Sequence, residues 1–341
     1  MTPEFSSLLS EVENKMKTKV ETFEEIYAGM NNRLFVLNTD SKQKLLGKIY
    51  IRDDTPRLYN EFTSFSFLRE NGITQTPTVY FKNDELNYAV YSFEEGLIKT
   101  SQNLNFADIE KMLDFIIKLQ DFERKKVTTP FNFILYSINS LNDFIQNAYE
   151  RAGKLERYTI ENNINPLLSN FLSGFDLKHY LDEQFETIRS TLSKEELSCK
   201  LDDNSYRLST NDFAGANNTI FKKDGAALFI DFEYFGWDHP LKIIVDFVNH
   251  IKNKDIPIEY KKRFVNLYKE RSNISPKFLN QLDTAIRLSQ IDWVTRLTRW
   301  CTPENIDFWK HGNPKFDENA FISEKISELK NHLAFIGNYL L

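Results

Sequence analysis

The spacing of the apolar residues changes once, near Glu94-Glu95-Gly96, and that change restricts the chain to folds with two unlike halves. Before it the apolar residues come in short β-like runs, Thr22 to Ala28, Leu34 to Asn38 and Lys44 to Ile51, the last two joined by a polar turn at Thr39-Asp40-Ser41. An amphipathic helix precedes them, with Leu8, Leu9, Val12, Met16 and Val20 recurring after Thr2-Pro3. Pro56 introduces a second helix that Asn71-Gly72 stops after Glu70, and Thr78 to Phe81 forms a hairpin with Tyr88 to Phe93 around Lys82-Asn83-Asp84. Beyond Gly96 the period becomes helical. Ile109, Leu113, Ile116, Ile117 and Gln120 carry it, Phe133 through Ala148 reads as another helix, and Gly153 to Ser173 reads as a polar separator before Leu177, Leu181, Phe185, Ile188 and Leu192. One β-rich interruption, Tyr206 to Ile230, precedes helices that resume at Leu241. The pattern predicts an α+β, bilobal chain. Residues 1–96 form a small lobe opened by a helix over 1–21, a hinge spans 92–96, and 97–341 form a larger, mainly helical lobe.

A length of 341 residues gives each lobe enough apolar sequence for its own core. The chain has only 11 glycines, well below the usual share of about 7%, and neither G-x-G-x-x-G nor G-x-x-x-x-G-K-[ST] occurs. The Rossmann and P-loop routes to a nucleotide are therefore closed. With 43 basic and 49 acidic residues the net charge is −6, and basic runs are as short as Lys125-Lys126, so nucleic acid is not an expected partner. Cys199 and Cys301 stand far apart without a C-x-x-C neighbour, and the five histidines lack ligand spacing, which leaves no disulfide framework or zinc site. The amino terminus has no leader pattern and the apolar runs are too short to span a bilayer, so a cytoplasmic protein without a membrane span is expected.

The chemistry concentrates in Leu208 to Ile220 and in Leu228-Phe229-Ile230-Asp231-Phe232-Glu233. Asp212 and Asn217 are spaced D-x-x-x-x-N, a hairpin follows, and Asp231 ends an apolar strand. Kinases use such a set, with one Asp orienting the substrate hydroxyl while the Asn and a second Asp hold Mg²⁺. Loop Asp and Asn residues also cap ordinary turns, so the spacing alone does not decide. Lys48 lies on the strand face opposite Leu45, Ile49 and Ile51, while Glu61 falls on the apolar stripe of Leu58, Phe65 and Leu68 in the next helix. A buried carboxylate needs a partner, and Lys48 is the expected one.

On these residues the chain resembles the aminoglycoside phosphotransferase and choline kinase family, whose fold is protein-kinase-like. The resemblance runs from about Phe23 to Phe247. It includes a turn at Gly29-Met30-Asn31-Asn32, the hinge Tyr91-Ser92-Phe93-Glu94, and Ile230-Asp231-Phe232-Glu233-Tyr234-Phe235-Gly236-Trp237-Asp238-His239-Pro240 with Asp246. It implies ATP and Mg²⁺ as cofactors, Asp212 as the catalytic Asp, Asn217 and Asp231 as metal ligands, and Lys48 with Glu61 at the phosphates. It further implies that Asn31 and Asn32 cover the phosphates, that the backbone of Ser92, Phe93 and Glu94 receives adenine, and that Asp246 braces the catalytic loop. Asn31 and Asn32 fit an ordinary β-turn equally well. The family usually places His-Gly-Asp or His-Asn-Asp where this chain has Thr210-Asn211-Asp212, so a catalytically silent, kinase-like binding protein is the alternative to an enzyme.

The implied acceptor is a small-molecule hydroxyl on a sugar, a polyol or an amino alcohol such as choline, used for cell-surface glycoconjugates, with an aminoglycoside as the other option. Glu233, Trp237, Asp238, Trp300 and Trp309 are the candidate acceptor ligands, because a cation wants aromatic faces and acids. Trp293 and Trp300 also fit a core stripe with Ile286, Gln290 and Leu297.

Overall fold

A computed structural model describes residues 2–27, 32–211, 216–313 and 315–336. Helix α1 (Pro3–Met16) starts where the Thr2 hydroxyl accepts the Phe5 N–H, with Pro3 preset for the first turn. It lies on a five-stranded antiparallel sheet of β1 (Val20–Ile26), β2 (Arg33–Thr39), β3 (Lys44–Ile49), β4 (Val79–Asn83) and β5 (Tyr88–Ser92), in the order β1-β2-β3-β5-β4. Strand β3 alternates as the sequence predicts. Leu45 and Ile49 join Phe5, Leu8 and Val12 in a core on the outer face. Gly47 lets α1 approach, since a Cβ there would stand 3.0 Å from Leu8 Cδ1. The inner face carries Lys48 and meets α2 (Arg57–Glu70), which Gly72 closes at φ +80°.

The inner face belongs to a different core. Leu58, Phe65, Leu68 and Tyr91 are continuous with the interior of the large lobe, where Phe65 contacts Phe232 at 5.0 Å and Phe115 stacks on Phe229 at 4.0 Å between ring centres. The link between lobes is tight. After the hinge, β6 (Leu97–Ile98) pairs at once with a strand of the large lobe, and a Cβ on Gly96 would stand 2.4 Å from Ile220 Cγ2 and 2.7 Å from the Phe221 carbonyl oxygen. Helices α3 (Phe106–Gln120), α4 (Leu141–Ile160), α5 (Pro166–Ser173), α6 (Leu177–Arg189) and α7 (Lys194–Leu197) follow. Next come β7 (Arg207–Ser209), β8 (Thr219–Phe221), β9 (Ala227–Phe229) and β10 (Gly236–Asp238). The chain closes with α8 (Lys242–Asn249), α9 (Ile258–Arg271), α10 (Pro276–Leu279), α11 (Leu282–Trp300), α12 (Pro303–Gly312) and α13 (Glu318–Phe335). Strands β6, β8 and β9 make one small antiparallel sheet and β7 with β10 another. No helix among the described residues is long and apolar enough to cross a membrane.

Two sequence expectations are corrected. Residues 133–140 are not helical, because β10 captures them: Ile134 donates to the Trp237 carbonyl, Asp238 Oδ1 accepts from Ser137 and Ile138, and Tyr136 turns at φ 58°. Helix α4 begins only at Leu141, where the Asp143 carboxylate accepts the Ser140 N–H. The stretch from Gly153 to Ser173 is not a separator either. It completes α4 and forms α5, anchored by Leu155 and Leu168, which are 2% and 1% exposed.

Candidate active site

The inner face of β3, the second turn of α2 and the segment after β9 meet at one lysine. Lys48 Nζ lies 2.7 Å from Glu61 Oε2, 2.9 Å from Glu233 Oε1 and 3.1 Å from Asp231 Oδ1. The Lys48–Glu61 pair is the one expected from the sequence. Glu61 is 3% exposed and also accepts the Tyr50 hydroxyl at 2.6 Å, and Tyr50 in turn takes a bond from Tyr91 at 2.7 Å. Burial first, and then the Glu61 charge, raise both phenols well above their usual range.

Glu233, a candidate acceptor ligand in the sequence, is enclosed in the structure. It is 3% exposed and fully engaged, by Lys48, by Arg57 Nη1 at 2.6 Å and by the Asn32 side-chain amide, while Asn60 holds its backbone carbonyl at 2.8 Å. Lys48 and Arg57 hold the Glu233 carboxyl below its usual range in spite of its burial. Arg57, Asn60 and Tyr50 were missed in the sequence. The available signal was Arg57 at i−4 from Glu61, a second charge on the buried stripe of α2.

Asp231 is the member of the group left open. Its side chain is 45% exposed and its backbone is left-handed, at φ 69°. Burial and the neighbouring carboxylates Glu233 and Glu61 push its carboxyl up against the pull of Lys48, and with so much of the side chain exposed the carboxylates are the weightier cause. The three carboxylates have oxygens within 4.8 Å of one another. Glu61 and Glu233 are already bonded to Lys48, Tyr50, Arg57 and Asn32, so Asp231 is the one with room for a further cation. Asn217 is exposed. The antiparallel register of β8 and β9 pairs Thr219 with Phe229, and the Ile230 N–H donates to the Asn218 carbonyl, so Asn217 and Asp231 follow from adjacent strand ends. Hard oxygen donors on two sides of a solvent-open position suit Mg²⁺.

Asp212 and Asn31, with Gly29 and Met30 of the turn, lie outside the described residues. The approach to Asp212 is described: Asn211 turns at φ 61° and donates its N–H to Ser209 Oγ at 3.0 Å. Thr210, where the resemblance leads one to expect an imidazole, is 2% exposed and its hydroxyl has no partner among the described residues. Asp246 accepts from Lys242 one turn earlier and stands 3.6 Å from Arg296. At the hinge, Ser92 Oγ donates to Glu94 at 2.5 Å and Lys222 to Glu94 at 2.6 Å, so the Glu94 carboxylate is spent on bracing. The Phe93 N–H bonds the Lys44 carbonyl at 3.3 Å.

The other acceptor candidates are not brought to this cluster. Trp237 and Asp238 are interior, 3% and 0% exposed, because β10 is sandwiched between β7 and residues 132–134. Trp300 and Trp309 pack edge to face, and Trp309 continues onto Phe321 between α12 and α13. Burial raises the Asp238 carboxyl to about 7 despite Lys242. A carboxyl raised in the folded protein stabilises it most below its unfolded pKa and loses that contribution as pH rises towards 7. Asp238→Asn should therefore gain stability relative to the parent on going from pH 4 to pH 8, by on the order of 2 kcal/mol or more. Parallel urea-denaturation curves for the two proteins across that range would refute the assignment.

Comparison with known proteins shows the family and the fold. A model of the phosphotransferase enzyme family matches residues 22–276. Among solved structures the chain is similar to a spectinomycin phosphotransferase bound to ADP and spectinomycin, with a TM-score of 0.62 and 13% identity over 95% of this chain and 98% of the other. It is similar to a choline kinase of Streptococcus pneumoniae at 0.60 and 13% over 99% and 100%, and to an ethanolamine kinase of Plasmodium vivax at 0.59 and 16% over 96% and 84%. No curated protein matches the chain in sequence.

Proposed function

Since the chain belongs to the phosphotransferase enzyme family, we propose that it moves the γ-phosphoryl group of ATP, with Mg²⁺, to a hydroxyl of a sugar, polyol or amino alcohol in the cytoplasm. The observation that carries this reading is Lys48, held on one side by Glu61 and on the other by Glu233, with Asp231 open beside it. Residues 1–96 would grip the nucleotide, and the backbone of residues 92–94 would receive adenine. Lys48 would neutralise phosphate charge, and Glu61, Glu233 and Tyr50 fix its position. Asp231 and Asn217 would hold Mg²⁺, which when bound draws charge from the phosphate oxygens. Asp212 would orient the acceptor hydroxyl and take its proton as the oxygen attacks phosphorus. Catalysis of this kind is mostly positioning and charge neutralisation.

Thr210 favours a second reading, a silent kinase-like fold. Mg²⁺ with ATP at about 100 times its Kd should stabilise the protein by about 2.7 kcal/mol, with a matching rise in Tm. Asp231→Asn should lose the part of that shift that depends on Mg²⁺, and Lys48→Met most of the rest. Absence of any shift in the parent would refute nucleotide binding, and a shift without ADP release from any acceptor would favour the silent reading.

A further inference from the structure

The large lobe holds a second charge cluster, built where α4, α8 and α11 meet. Arg151 on α4 is 3% exposed and pairs with Asp292 on α11. Arg296 lies 2.7 Å from Asp292 and 3.6 Å from Asp246 on α8, which is itself taken by Lys242. Three residues further along α11, the Arg299 guanidinium lies 5.1 Å from the centre of the Tyr136 ring, and Arg151 lies 4.2 Å from the same ring. Arg299 has no carboxylate partner among the described residues. Among the described residues Arg151 and Arg296 share Asp292, and Lys242 and Arg296 share Asp246.

The unmet demand is specific. Among the described residues, the Nε atoms of Arg151 and Arg299 are both buried without an acceptor. Burial, and then the charges of Arg296 and Arg299, hold the Arg151 guanidinium below its usual range although Asp292 pulls the other way. A water molecule would satisfy an N–H and leave the charge uncompensated. An anionic oxygen pair satisfies both, and a guanidinium fork is shaped for one. Tyr136 supplies an aromatic face that keeps the Arg299 plane in place.

The cluster is also tied to the catalytic loop. Asp238 fixes the chain just after Tyr136 through Ser137 and Ile138, β10 pairs with β7, and β7 runs directly into residues 210–212.

We propose that the acceptor carries a carboxylate or phosphate group beside its hydroxyl, received by Arg299 stacked on Tyr136. The proposal rests on the phosphotransferase reading above and narrows its substrate class: a cationic acceptor is repelled here, and a neutral one leaves the arginine unmatched.

The test compares glucose, gluconate, glucose 6-phosphate and choline as acceptors for ADP release from Mg²⁺-ATP, and as ligands by calorimetry on protein saturated with a non-hydrolysable ATP analogue. Gluconate or glucose 6-phosphate should bind or react at least tenfold better than glucose, and which of the two does so separates carboxylate from phosphate. Arg299→Ala should raise KM or Kd for the acidic probe at least tenfold with kcat within about twofold, and leave glucose unchanged. Arg299→Lys, which keeps the charge without the fork, should recover part of the loss. Equal or better use of glucose or choline overturns the proposal and leaves the phosphotransferase reading standing, as does binding of the acidic probes that Arg299→Ala does not weaken. Failure of all four probes to bind the nucleotide-loaded protein also overturns it. Failure of Mg²⁺-ATP to stabilise the protein overturns the phosphotransferase reading itself.

Discussion

Asp212→Asn should lower kcat by about 10²–10⁴-fold while Mg²⁺-ATP affinity stays within a few-fold of the parent. The two effects separate because different elements carry them. On the proposed reading, phosphate charge would be met by Lys48 and by the Mg²⁺ that Asp231 would help to hold, on β3 and on the segment after β9. Asp212 follows β7, whose pairing with β10 and whose Ser209 hydroxyl, accepting the Asn211 N–H, set the loop on the large lobe. Asparagine keeps the size and one acceptor oxygen, but it neither carries the charge nor takes the proton. The acceptor oxygen then has to lose its proton to water. Stopped-flow turnover alongside nucleotide titration reads both quantities, and an unchanged kcat with an identified acceptor would remove Asp212 from the mechanism.

Glu233→Ala should destabilise the protein by about 3 kcal/mol, the lower end of what breaking a buried charge pair costs. Lys48 keeps Glu61 and Asp231, and Arg57 keeps Asp53 at 2.7 Å, so neither cation is stranded altogether. Three donors nevertheless lose their acceptor inside the fold, those of Lys48, Arg57 and Asn32. The urea midpoint should fall without ligand present. Had Glu233 been an acceptor ligand, as the sequence suggested, stability would hold and only the acceptor KM would rise, so the two accounts are separated by a measurement that needs no substrate.

Much of this site is legible in the chain before folding. Lys48 and Glu61 reveal themselves because a strand alternates and a helix repeats: the first period turns Lys48 away from Leu45, Ile49 and Ile51, and the second places Glu61 on an apolar stripe where it needs a partner. Asp231 and Asn217 are legible as polar residues at the two ends of one hairpin, whose strands pair from Thr219 with Phe229. The enclosure of Glu233 is not legible in the sequence for a physical reason: only the approach of Arg57 from α2 and of Lys48 from β3 surrounds it. The helix expected over Phe133 to Ala148 failed likewise, since its residues have helical spacing but its backbone donors are claimed by β10, a strand of three residues too short to announce itself. The arginine cluster was invisible, because Arg151, Arg296 and Arg299 are ordinary helix-surface residues in sequence and converge only where α4 packs along α11.

The two faces of the small sheet answer to different interiors, and this fixes how the cleft is able to move. The α1 face closes on itself, so α1 and the strands travel as one plate with no apolar seam to reopen. The α2 face is rooted in the large lobe through Phe65 and Phe232, and Gly96 presses the connecting strand onto Ile220 and Phe221. Any turn of the plate against the large lobe would bear first on the contacts around Lys48, which tie β3 to α2 and to the segment after β9.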